Sequence, residues 1–97
     1  MIRHIVFFTA RDPADIDRIC AGLERLGTIP HSRHFEVNRN TKVDQFGNEV
    51  DVVVYGEFED TAALAAYKAH PTYVEVTASV RPLRELRFAA DFEAKPA

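Results

Sequence analysis

DVVVYGEFED, residues 51–60, decides the fold. In a strand over 51–59, Val52, Val54, Gly56 and Phe58 fall on one face and Val53, Tyr55 and Glu57 on the other, so β-branched and aromatic residues occupy both. A strand that is apolar on both faces belongs in the middle of a sheet. Asp60 then supplies a capping side chain, and TAALAAYKA (61–69) is alanine-rich and helix-favouring.

Working outward from there, IRHIVFFT (2–9) is a second strand with both faces apolar: Ile2, His4, Val6 and Phe8 share one side, Arg3, Ile5 and Phe7 the other. Asp12 and Pro13 mark a helix start, the apolar positions Ile16, Ile19, Cys20, Leu23 and Leu26 repeat at helical spacing, and Gly27 is a natural stop. RHFEVNRN (33–40) alternates with Phe35 and Val37 inward, which suits an edge strand. DQFGNE (44–49) carries the turn signals of a hairpin or a longer loop. Pro71 biases His70 away from helical angles, so the helix over 61–69 ends there and a shorter one begins at Pro71. RELRFAADF (84–92) is the last strand, and residues 93–97 read as a tail after a single domain over 1–92.

The order strand, helix, strand, strand, helix, strand predicts an α+β fold, the ferredoxin-like plait. It has a four-stranded antiparallel sheet with helices on one face. The other face would present Ile5, Phe7, Val53 and Tyr55, an apolar patch whose simplest cover is a second copy of the chain, packed sheet on sheet.

Composition removes several function classes. A chain of 97 residues, 46% hydrophobic and 28% charged, fits one globular domain rather than a disordered or membrane-spanning one. Its formal charge of -3, with acids and bases interleaved, offers no basic face for a phosphate backbone, so nucleic acid is not an expected partner. The start MIRHIVFFTARD lacks the long apolar region of a signal peptide, and a cytoplasmic protein is expected. Cys20 is the sole cysteine and lies on an apolar helix face, which points to an inert, buried thiol. The carboxylates lack metal-ligand spacing and no glycine-rich loop follows a strand, so neither a metal nor a nucleotide cofactor is expected.

IRHIVFF at the start, IPHSRHFEVNRN after the first helix, and FEDTAALAAYKAHPTYVEV followed by VRPLRELRFAADF resemble, in order and spacing, the stress-responsive α/β-barrel (Dabb) domain family. The resemblance spans nearly all of residues 1–92. It implies a dimeric α+β barrel. It also implies several possible roles, because many members are uncharacterised stress-induced proteins while one plant member closes a linear polyketide by aldol condensation without a cofactor. Cofactor-free monooxygenases share the fold, so the fold alone fixes no chemistry. His4, Tyr67 and the pair His70–Pro71 match positions of that cyclase, whereas its principal catalytic histidine corresponds to Tyr73 here. A phenol is a poor base at neutral pH, so the cyclase reaction does not transfer intact.

A pocket is nevertheless expected between sheet and helices. His4 and Tyr67 are its candidate catalytic groups; Val6, Gly22, Val54, Gly56, His70 and Tyr73 are its candidate substrate contacts. Gly56 would leave room on the sheet. Gly22, inside the first helix at a cost of about 1 kcal/mol relative to alanine, implies a close contact or an open space. In the resemblance Gly22 stands where the cyclase has a bulky pocket aromatic, which implies a wider or differently shaped cavity. Each polar candidate also has a structural reading: His4 as a core histidine bonded to Tyr67 or a carbonyl, Tyr67 as a helix anchor, Tyr73 as core, and His70 as a partner for backbone groups freed between two helices. The cluster His31, His34 and Glu36 reads as a solvated strand face. Three functions follow: a homodimer that binds a small hydrophobic or phenolic ligand, a cofactor-independent cyclase, isomerase or monooxygenase with His4 as general base, or a structural dimer with a filled core.

Overall fold

The computed structural model describes all 97 residues. Its elements are β1 (Ile2–Ala10), α1 (Ile16–Glu24), β2 (His34–Arg39), β3 (Val52–Phe58), α2 (Thr61–Ala69), α3 (Pro71–Val80) and β4 (Arg84–Glu93). Short 3-10 turns, Pro13–Asp15 and Arg25–Thr28, extend α1 at both ends. The strands form one antiparallel sheet in the order β2-β3-β1-β4, the ferredoxin-like arrangement, and β3 and β1 occupy its centre as their two-sided patterns require.

Local chemistry sets the boundaries. Asp12 accepts from the Ala14 amide at 2.9 Å and Asp60 from the Ala63 amide at 2.8 Å, so the first helical segment and α2 each start on a carboxylate cap. His70 sits in extended geometry (φ -67°, ψ 140°) between α2 and α3, and its Nδ1 accepts from the Thr72 amide at 3.1 Å. The histidine thus replaces a backbone acceptor where one helix ends and the next begins. The segment 40–51 contains no strand. Asp44 Oδ2 instead accepts from the amides of Phe46 and Gly47, closing a side-chain turn at the tip of a loop rather than a tight hairpin. At the C-terminus, β4 extends one residue into the segment expected as a tail, and the Ala94 amide still bonds the Met1 carbonyl at 2.8 Å.

The core lies between the helices and one sheet face. Ile19 and Leu23 of α1, Leu64 and Tyr67 of α2, and Val76 and Val80 of α3 close over Val6, Phe8, Val52, Val54 and Phe58. Both glycines mark close contacts, the first of the two alternatives for Gly22 and the opposite of the room expected at Gly56. A Cβ on Gly22 would lie 3.2 Å from Val80 Cγ2, so this glycine lets α1 approach α3. A Cβ on Gly56 would lie 2.9 Å from Cε2 of Phe58 and 3.7 Å from Cδ1 of Phe35, because those two rings fold over the strand at that point. Phe58 has no exposure and cannot swing clear. Gly56→Ala is therefore expected to destabilise the protein by about 1–3 kcal/mol in urea unfolding, the usual effect of overpacking; an unchanged midpoint would show that the ring yields.

The helices pack over β2 and β3 and leave β4 uncovered: every residue from Glu85 to Glu93 is exposed. Pairing with β1 places Arg87, Ala89, Asp91 and Glu93 on the helix side, opposite Phe8, Val6, His4 and Ile2. On the far side, Phe88, Ala90 and Phe92 pair with Phe7, Ile5 and Arg3, alongside Val53 and Tyr55 of β3. This adds two half-exposed aromatics to the patch foreseen from Ile5, Phe7, Val53 and Tyr55. One end of the patch is closed by a polar chain: Arg3 donates to the Tyr55 hydroxyl at 2.7 Å, which donates to Glu57 Oε2 at 2.6 Å.

Candidate functional site

His4 is 1% exposed, on the helix side of β1. The antiparallel register sets Asp91 of β4 directly opposite, and the imidazole Nδ1 hydrogen-bonds the Asp91 carboxylate. Burial lowers the His4 pKa below its ordinary 6.5; Asp91 opposes that shift, and the positive charges of Lys68 and Arg87 add to it. The ring is therefore neutral at neutral pH. With Asp91 accepting from Nδ1–H, the bare lone pair belongs to Nε2. Nε2 makes no hydrogen bond within the chain, and since no sealed side-chain nitrogen or oxygen lacks a partner, it opens onto accessible space.

Tyr67, on α2, faces the same space. Its ring centre lies 6.1 Å from that of His4, 4.9 Å from Phe58 and 5.2 Å from Tyr73. Burial, with the nearby Tyr73, raises its pKa well above the usual phenol value, so it stays a protonated donor. Its hydroxyl also has no partner within the chain and is not sealed. His4 and Tyr67 line an inner chamber of about 20 Å³, walled by Val6, Val54 and Leu26, with room for one water molecule or one small reacting group.

The inner chamber continues into a cavity of about 320 Å³, and the two share Phe8, Leu23, Tyr73, Thr77 and Arg87 as lining. The cavity exists because the helix layer ends before β4, leaving a cleft between α3 and that strand. Its volume is at the lower end of the range for small-molecule pockets. The chain supplies no cluster of three or more His, Cys, Asp or Glu side chains able to hold a metal ion.

Of the candidates read from the sequence, His4, Tyr67, Val6, Val54 and Tyr73 come together at this site. Gly22, Gly56 and His70 do not line it. Gly22 is filled by Val80, which removes the widening expected there; Gly56 is filled by Phe58 and Phe35; and His70 is occupied by the Thr72 amide. His34 Nε2 meets Glu36 Oε2 at 2.6 Å on the exposed side of β2, a solvated pair. Cys20 is half-buried with its thiol pKa raised by burial and Glu24, which keeps it unreactive. Two features escaped the sequence reading. Asp91, rather than Tyr67 or a carbonyl, is the partner of His4, and Lys68, Arg81, Arg84 and Arg87 ring the outer cavity.

Similarity to other proteins agrees with this architecture. The model of the Stress responsive A/B Barrel Domain matches residues 2–94. No curated protein matches the sequence. Among solved structures, a Dabb family protein with a ferredoxin-like fold from Mesorhizobium loti is 25% identical, with 98% of this chain and 97% of that one covered and a TM-score of 0.83. A dimeric ferredoxin-like protein of unknown function from Thermobifida fusca is 23% identical, with 96% and 90% covered and a TM-score of 0.81. A hydroxynitrile lyase from Passiflora edulis shares the fold at 20% identity, with 98% and 96% covered and a TM-score of 0.78. With its family model matched over almost its whole length, the chain belongs to the stress responsive A/B barrel domain family.

Proposed function

We propose that this protein is a homodimeric, cofactor-independent enzyme that moves a proton on a small, largely apolar carbonyl compound of polyketide-like or aromatic type. The observation that carries this reading is a neutral His4 whose Nδ1 is held by Asp91, whose Nε2 has no partner in the chain, and whose ring lines a small chamber adjoining the cavity. A ligand lying in the outer cavity presents an acidic C–H to Nε2. His4 takes that proton as general base, and Asp91 stabilises the imidazolium that forms. As the C–H electrons move onto the carbonyl, the Tyr67 hydroxyl donates a hydrogen bond to the developing enolate oxygen. Val6, Val54 and Leu26 wall the chamber and leave room for little water beside these contacts. The enolate then closes on a second carbonyl or is reprotonated elsewhere, according to the substrate.

One observation favours a second reading, ligand binding without turnover. The inner chamber is only about 20 Å³, and Tyr73, which by the family resemblance stands in place of a cyclase's main histidine, is on its wall. The homodimer is supported by the apolar sheet face, where Phe88 and Phe92 remain 58% and 47% exposed, and by the dimeric description of solved proteins sharing the fold.

Deuterium exchange at the carbon next to the carbonyl of 4-phenylbutan-2-one, followed by proton NMR across pH, separates these readings. The neutral form of His4 is the active one, so the rate rises as the ring loses its proton and levels off above that point. Because burial holds the His4 pKa below 6.5, the midpoint is expected below 6.5, with the rate levelling off above it. A midpoint above 6.5, or a rate that falls as pH rises, would contradict the assignment of His4 as base. Absence of any acceleration would favour binding alone.

A further inference from the structure

The charge pattern of the outer cavity names the kind of ligand it takes. Lys68 from α2, Arg81 just beyond α3, and Arg84 and Arg87 from β4 all line it, and no acidic residue does. None of the four enters an ion pair, although the chain carries 15 Asp and Glu against 12 Lys and Arg. By contrast, Arg3, Arg18, Arg25, Arg33, Arg39 and Lys42 each hold a carboxylate. Uncompensated cations are therefore collected at one place in an acidic protein. Arg11 adds a further positive charge near Arg84, whose pKa is pushed down by burial and by Arg87, Arg81 and Arg11 together.

The backbone contributes to this arrangement. In a regular strand Arg84 and Arg87, three residues apart, would point to opposite faces. The register of β4 on β1 shifts between Phe8 and Ala10, and this irregularity turns both guanidinium groups toward the cavity. The remaining walls are mostly apolar, Phe8, Leu23 and Val80 with the ring of Tyr73, and Thr77 adds one hydroxyl. A site with a cationic rim, an apolar floor and no internal counter-charge is matched by an amphipathic anion.

We infer that the outer cavity binds a small organic anion, whose carboxylate or phosphate lies among Lys68, Arg81, Arg84 and Arg87 and whose apolar body lies on Phe8, Leu23 and Val80. Its orientation, with the enolisable end toward His4, rests on the function proposed above; its binding does not. The anion specifies which compounds enter, and it places the reacting carbon at a fixed reach from the rim.

Isothermal titration of the full chain with 4-phenylbutanoate, the neutral 4-phenylbutanamide and phenyl phosphate tests this. An anionic probe is expected to bind about tenfold or more tightly than the amide, as a charge-assisted hydrogen bond would give. That preference should shrink with added salt and vanish in the Arg84→Gln, Arg87→Gln double variant. Stronger binding of the carboxylate identifies an organic acid, and stronger binding of the phosphate a phosphate ester; each supports the anion site. Equal affinity for acid and amide, or a preference undiminished in the folded variant, would overturn it. Lys68→Met, at an exposed helix position, carries the same test should the double variant fail to fold. A His4→Asn protein should keep the anion preference whether or not it turns over substrate, so failure of the proton-transfer reading leaves this result distinct.

Discussion

His4→Asn is expected to fold normally and to lose about a hundredfold to ten-thousandfold in the rate of C–H exchange, the range associated with loss of a general base. Asparagine is chosen because its side-chain amide can still donate to Asp91 while lacking the atom that corresponds to Nε2. The cross-strand hydrogen bond is preserved and only the basic lone pair is removed. Measured stability close to wild type, together with the loss of exchange, separates a chemical role from a packing role. A variant as active as wild type would remove His4 from the mechanism. Asp91 acts through His4 as a positioning residue: Asp91→Asn retains Nε2 but releases the tautomer, so it is expected to lower the rate less and to displace the pH midpoint.

The second large effect concerns assembly. Phe7 lies on the sheet face away from the helices, paired with Val53 on one side and Phe88 on the other. If two copies pack through this face, a carboxylate at position 7 is buried against the partner's apolar surface without a counter-charge. The penalty is expected to weaken the dimer by about a thousandfold or more. Sedimentation velocity of Phe7→Asp should then show a monomer, or insoluble protein, where the wild type shows a dimer. Because the patch is on the opposite face of the sheet from the cavity, a soluble monomeric variant should still bind the anionic probes. A wild type that sediments as a folded monomer would refute the dimer and leave the exposed Phe88 and Phe92 without a cover.

The fold was legible because its signals are local. Alternation in 2–9 and 51–59, the caps at Asp12 and Asp60, and the break before Pro71 each act within a few residues, and the topology follows from their order. The site was legible only in part. His4 and Tyr67 could be brought together from strand parity and from the family resemblance. Asp91 could not, since its pairing with His4 depends on the register of strands far apart in sequence. Gly56 misled, and Gly22 stayed ambiguous, for a different reason: a glycine signals that a side chain is missing, and only the packed structure reveals that Val80, Phe58 and Phe35 fill the space. The cationic rim was hidden by interleaved charges and by a strand irregularity that no periodicity rule anticipates.

The central claim is that His4 is a neutral imidazole with Nδ1–H bound to Asp91 and Nε2 free at the cavity. Long-range proton–nitrogen NMR correlation on ¹⁵N-labelled protein reports the tautomer and its titration directly. At pH 7 His4 is expected to be protonated on Nδ1 and bare on Nε2, and to titrate below 6.5. A ring protonated on Nε2 at neutral pH, or one that titrates above 6.5, would contradict it.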